Sequence, residues 1–164
     1  MRKRYLIALG SNRRHPRYGA PEKVLIAALK ALEGKGVKVR AVSPIIRSAP
    51  LGPSRRRYAN AAALIRAKCD PAELLALLKA VEQDFGRRGG GQPWGARVLD
   101  LDVVMWNGGA WSSPGLTVPH TAFRQRDFVL RPAIAVAGAW RDPITGLSLR
   151  QLYARLRRPV PLSA

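Results

Sequence analysis

WGARVLDLDVV, residues 94–104, alternates along its second half: Leu99, Leu101 and Val103 fall on one face of an extended chain, Asp100 and Asp102 on the other. This period of two predicts a strand over Val98–Trp106 with an apolar side for a core. The two carboxylates then stand roughly 7 Å apart at Cβ, close enough to reach one cation or two adjacent ones. In a chain with 10 acids, two side by side argue for a positive partner, and oxygen-only ligands favour magnesium over zinc. Arg97 is the rival partner. Taken alone, D-x-D is better read as a half-exposed strand whose acids face water or surface arginines.

Working outward, Arg4–Leu9 reads as a strand, and Pro21 opens a helix in which Leu25, Ala28, Leu29 and Leu32 recur at helical spacing until Gly34 and Gly36. Strands are expected at Val37–Val42 and Tyr58–Ala67, flanking the loop SAPLGPSRRR that Pro50 and Pro53 stiffen. Asp70, Pro71 and Glu73 start a second helix with a buried stripe of Leu74, Leu75, Leu78, Val81 and Phe85, ended by Gly86. Glu82 lies near the negative end of that helix, as a surface acid or as a carboxylate with a task. RRGGGQP is expected as a mobile loop, Gly108-Gly109 and DPITG as turns, 123–137 as a helix interrupted by Pro132, and Ser148 as the cap of a short helix through Leu156. The order is that of an α+β chain without repeats or linkers, and residues 1–164 are expected to form one domain.

Composition narrows the class. Hydrophobic residues make up 47%, yet no apolar run is long enough to cross a bilayer, and YLIALG is too short for a signal-peptide core. Cys69 is the only cysteine, which excludes an internal disulfide and fits a reducing cytoplasm. A cytoplasmic monomer with no membrane association is expected. The net charge of +19, from 22 Arg and 7 Lys, points toward polyanions, and the acid-free stretch Gly34–Cys69 with Arg55, Arg56 and Arg57 could be a phosphate footprint. An arginine-rich but ordinary solvated surface accounts for the same numbers.

Seven segments carry a resemblance: YLIALGSN, PLGP, YANAA, LLALLKAVEQDFGR, WGARVLDLDVV, LTVPH and FVLRP, in that order. Together they resemble the 6-hydroxymethyl-7,8-dihydropterin pyrophosphokinases of the folate pathway. The resemblance implies a ferredoxin-like α+β sandwich, an antiparallel sheet covered by helices, and Mg-dependent transfer of pyrophosphate from ATP to a pterin hydroxymethyl group with release of AMP. It implies that Asp100 and Asp102 hold two magnesium ions and that Arg87 and Arg97 contact phosphates, as guanidinium forks do well. His120 and Arg126 would contact ATP phosphates, with Thr117, Val103 and Glu82 near the nucleotide and Trp94 walling the site. Tyr58 and Phe128 would sandwich the pterin, Asn60 would read its amide edge, and backbone groups of Ser48 and Leu51 would add contacts. Asp100 is the nearest candidate base.

The chain departs from the family pattern at Gly89, Gly90 and Pro93, where relatives carry further basic residues, and at Gly115, Thr121 and Ser48-Ala49. A triple glycine raises the entropic cost of ordering a lid, so slow turnover is expected. Two alternatives stand beside the enzyme: a nucleic-acid-binding relative with an inactive site, and a paralogue acting on another heterocycle.

Overall fold

A computed structural model describes residues 2–48, 57–86 and 98–159 of the chain. The element order is β1 (Lys3–Ser11), α1 (Pro21–Gly34), β2 (Lys38–Val42), β3 (Ile46–Ser48), β4 (Tyr58–Ala67), α2 (Pro71–Asp84), β5 (Asp100–Trp106), β6 (Trp111–Ser113), β7 (Leu116–Val118), α3 (Asp127–Ala137) and α4 (Leu149–Leu156). The principal sheet runs β2-β4-β1-β5, with β3 also on β4, and every pairing is antiparallel. Strands β6 and β7 form a separate hairpin.

Each face of the sheet covers its own core. Odd-numbered residues of β1 and β4 (Tyr5, Ile7, Leu9; Ala61, Ala63, Ile65) join Leu101 and Val103 of β5, and Leu99 just before it, beneath α1 and α2. Leu6 and Ala62, from the opposite face, pack with Phe123, Leu130, Ala133 and Leu149 of the α3 and α4 layer. The β5 register slips between its partners Leu6 and Ile7, which pair with Met105 and Val103 and leave Val104 as the extra residue. Such a bulge redirects side chains, and Val104 and Met105 accordingly both enter the second core.

Local signals account for the helix ends. The Glu73 N–H donates to Asp70 Oδ1 at 2.8 Å and the Asp70 N–H to Glu73 Oε1 at 3.2 Å, the reciprocal box expected from the sequence. Ser148 and Gln151 repeat it at α4. Helix α1 begins on Pro21 without a side-chain cap.

Several expectations are corrected. β1 extends two residues past Leu9, because Gly10 and Ser11 pair with Asn60 and Ala59. β5 starts at Asp100 and β2 at Lys38. The helix over 123–137 is broken at Arg126, whose backbone is extended, and not at Pro132, which is buried inside α3; residues 123–125 form a separate 3-10 turn. Leu75 is only half-buried, and Glu82 takes its place in the α2 stripe. The expected mobile loop at 87–93 lies outside the described residues, as do Arg55 and Arg56. Part of the positive charge gathers far from the acidic pair: Arg4, Arg66 and Lys38 are successive partners across β1, β4 and β2, all exposed. Among the described residues no helix is long and apolar enough to cross a membrane.

Candidate active site

The site builds up from pairing register. Asp100 lies opposite Gly10, Gly10 opposite Asn60, and Asn60 opposite Ile46, so one row crosses β5, β1, β4 and β3. The next row sets Asp102 opposite Ala8 and Ala8 opposite Ala62. Paired residues share a face, and Tyr58 joins Asn60 on it by the alternation of β4. Both acids, Asn60 and Tyr58 therefore stand on the face over which α3 packs, with two residues of little or no side chain, Ala8 and Gly10, between them.

Gly10 was not singled out by the sequence reading, although a glycine inside a strand marks a close approach. A Cβ on it would lie 3.3 Å from Asn60 Oδ1 and 3.7 Å from Tyr58 Cδ1. Its bareness leaves the floor open between the acids and the Asn60 amide. Gly10→Ala is expected to displace the Asn60 side chain and weaken ligand binding about tenfold, in line with overpacking costs of about 1–3 kcal/mol. Calorimetric titration with a pterin checks this, with wild-type affinity as the contrary result.

His120 follows β7, after the cis Val118–Pro119 bond, and its N–H donates to the Val104 carbonyl at 2.9 Å. Its Nδ1 accepts the Ala122 N–H at 3.1 Å, which leaves the proton of the neutral ring on Nε2. Burial pushes the His120 pKa below its ordinary value; Asp102 pulls it upward and Arg126 downward. The same interactions place Asp102 and Arg126 each within electrostatic reach of His120. The Arg126 guanidinium lies over the Phe128 ring at 5.6 Å, and Phe128 is half-buried against the second core at the start of α3.

Glu82 is the largest surprise. It is 1% exposed, which overturns the reading of it as a surface acid. Its Oε2 accepts the Leu101 N–H at 2.7 Å, and Lys79 Nζ stands 3.6 Å from its Oε1. No periodicity could have announced a bond to a strand 19 residues away.

The remaining expected residues divide. Val103 has its side chain in the first core, facing away from the acids, so only its main chain could meet a ligand on their face. Thr117 is exposed on β7, and Ser48 pairs with Tyr58 through β3. Arg87, Arg97, Trp94 and Leu51 lie outside the described residues. Among the described residues no three His, Cys, Asp or Glu side chains gather as a metal cage. Two neighbouring carboxylates instead fit a hard divalent cation that takes its other ligands from water and substrate oxygens.

The family profile of 7,8-dihydro-6-hydroxymethylpterin-pyrophosphokinase (HPPK) matches residues 6–138. This chain belongs to that family. Among HPPK relatives, the 2-amino-4-hydroxy-6-hydroxymethyldihydropteridine pyrophosphokinase of Pseudomonas aeruginosa is 37% identical over 156 residues, covering 94% of this chain and 92% of the relative. The Synechocystis protein of the same name is 38% identical over 121 residues, and the match spans 74% of this chain and 62% of that relative's length. Solved structures agree in fold: a Plasmodium falciparum HPPK-DHPS superposes with a TM-score of 0.73 at 11% identity, over 94% of this chain and 41% of that one. An HPPK-DHPS in complex with substrates gives 0.72 at 11% identity, over 94% and 43%. The mixed architecture of helices on an antiparallel sheet is thus shared with HPPK-containing chains of more than twice the matched length.

Proposed function

We propose that this chain transfers pyrophosphate from ATP to the hydroxymethyl group of 6-hydroxymethyl-7,8-dihydropterin, releasing AMP, as a step of folate biosynthesis. One observation carries the reading: the two carboxylates share a sheet face with Asn60 and Tyr58 across the bare floor of Gly10 and Ala8. A phosphate-handling end and a heterocycle-handling end thereby adjoin.

In the reaction the pterin hydroxyl oxygen bonds to the β-phosphorus as the bond from that phosphorus to the oxygen bridging toward the α-phosphorus breaks. AMP leaves with that electron pair, and the hydroxyl proton passes to solvent or to a carboxylate such as Asp100. Magnesium, bound by Asp100 and Asp102 as two ions, would neutralise the polyphosphate and acidify the hydroxyl. Asn60 offers an amide donor and acceptor to the ring edge, and Tyr58 and Phe128 offer ring faces for stacking. A neutral His120 donates from Nε2, and Arg126 brings fixed positive charge, to oxygens that gain charge as AMP departs. Arg87 and Arg97 would add guanidinium forks and Trp94 would wall the site; Thr117 and the Val103 main chain would line the nucleotide end, and Ser48 and Leu51 would complete the ring contacts through their backbones.

The order β2-β4-β1-β5 with α1 and α2 on one face supports a ferredoxin-like core, to which α3 and α4 add a second layer. One domain over residues 1–164, a monomeric state and a cytoplasmic setting complete the proposal. Incubation of the protein with ATP and 6-hydroxymethyl-7,8-dihydropterin, followed by chromatography of the nucleotides, should show AMP and no ADP, and nothing when magnesium is omitted. ADP as product, or AMP formed equally without the metal, would refute the assignment.

A further inference from the structure

Glu82 violates the local preferences of its position. It sits near the C-terminal end of α2, where the helix dipole repels an anion, and it is buried, where an anion loses its hydration. What it does there is specific. Its Oε2 accepts the N–H of Leu101 at 2.7 Å, the short length of a charge-assisted bond. Leu101 is the residue between Asp100 and Asp102 and is itself 1% exposed.

That strand, β5, is the last of the principal sheet and pairs within it only with β1. An edge strand presents main-chain N–H and C=O groups that no further strand satisfies. Side chain and loop do so here: Glu82 takes the Leu101 N–H, and the His120 N–H reaches the Val104 carbonyl at 2.9 Å. The two bonds hold β5 on either side of Asp102.

We infer that Glu82 is a positioning residue: its carboxylate anchors the β5 main chain between Asp100 and Asp102 and thereby sets how the two acids stand toward each other. The inference rests on the functional reading above for its consequence, metal affinity, but not for the anchoring itself. It also gives Glu82 a different part from the nucleotide contact implied by family resemblance, since a side chain with 1% exposure has little surface to offer a ligand. The acceptor oxygen is the operative feature, so an amide at this position should serve and a thioether of similar bulk should not. The Lys79 contact is half-exposed on the lysine side and adds little.

Glu82→Gln and Glu82→Met test this in the full chain, the methionine keeping apolar volume without an oxygen. Amide hydrogen exchange, measured by NMR without ATP or metal, should show Leu101 protected in the wild type and in E82Q. In E82M it should exchange at least about tenfold faster relative to the central-strand amides of Ile7 and Ala63. Manganese binding followed by electron paramagnetic resonance, and the magnesium concentration for half-maximal AMP formation, should shift about tenfold or more in E82M and within about twofold in E82Q. The KM for the pterin should stay unchanged in both. Wild-type exchange at Leu101 in E82M, or an E82Q shift as large as that of E82M, overturns the proposal. If E82M does not fold, E82Q alone decides by the same twofold limit. A wild type that forms no AMP defeats the functional reading, while exchange at Leu101 still decides the anchor.

Discussion

Asp102→Asn is expected to reduce AMP formation by about 10³-fold or more while leaving the folded state intact or slightly more stable. On the proposed function, the loss follows from removing one of two anionic oxygen donors from a site that handles a polyphosphate; deleting a single well-placed electrostatic group in such sites costs about 10²–10³ in rate, and a metal ligand, the role proposed for Asp102, should exceed that. The stability effect has the opposite sign. Two carboxylates roughly 7 Å apart repel by about 0.6 kcal/mol in water and about 2.4 kcal/mol at an effective dielectric of 20. Asp102 is half-buried opposite Ala8, so an isosteric amide fits. A thermal melt and an AMP assay on the same preparation check both signs. Full activity would remove the acids from the mechanism, and a collapsed melt would make Asp102 structural.

Arg124→Leu should be the most damaging substitution away from the site, lowering stability by about 3–5 kcal/mol. Asp142 is 0% exposed, and Arg124 meets it with two parallel bonds, Nε to Oδ2 at 2.6 Å and Nη2 to Oδ1 at 2.9 Å. The Ile144 N–H and the Thr145 hydroxyl also donate to that carboxylate, at 3.0 and 2.8 Å, so the pair ties the 3-10 turn before α3 to the turn after it. Without Arg124, a buried anion keeps only neutral donors. The same bonds set an acid limit. Burial by itself would raise the Asp142 pKa, but Arg124, Ile144 and Thr145 outweigh it and hold the carboxyl at about 2. A folded-state pKa below the unfolded one contributes stability above the unfolded value, near 3.8, and that contribution disappears as pH falls toward 2. Urea unfolding between pH 5 and pH 2 should show this slope in the wild type and a shallower one in Asp142→Asn; parallel slopes would contradict it.

What the sequence disclosed depended on how local the physics was. Asp70 with Glu73 and Ser148 with Gln151 form their caps within four residues, and both helix starts are visible without tertiary information. The alternation of Leu99, Asp100, Leu101, Asp102 and Val103 likewise announced β5 and its two faces. Strands β3, β6 and β7, of three residues each, carry no readable period and exist through their partners. Pro132 misled because a proline usually stops a helix, yet here it denies a bond only to the Phe128 carbonyl, near the start of α3. Glu82 could not be read because its burial depends on a main-chain N–H in another element. Of the expected site, Asp100, Asp102, Tyr58 and Asn60 come to one face by register, and Asp102 and Arg126 each come within electrostatic reach of His120. Their grouping follows from long-range pairing that composition cannot encode.

The row from Asp100 through Gly10 to Asn60 also divides the site mechanically. Asn60 and Tyr58 ride on β4, flanked by strands on both sides, whereas the acids ride on the outermost strand, steadied by one helix side chain and one loop amide. On the proposed function, changes behind α2 can therefore retune the acidic end without disturbing the Asn60 and Tyr58 end, and a lineage could explore new heterocycles or new metal demands one at a time.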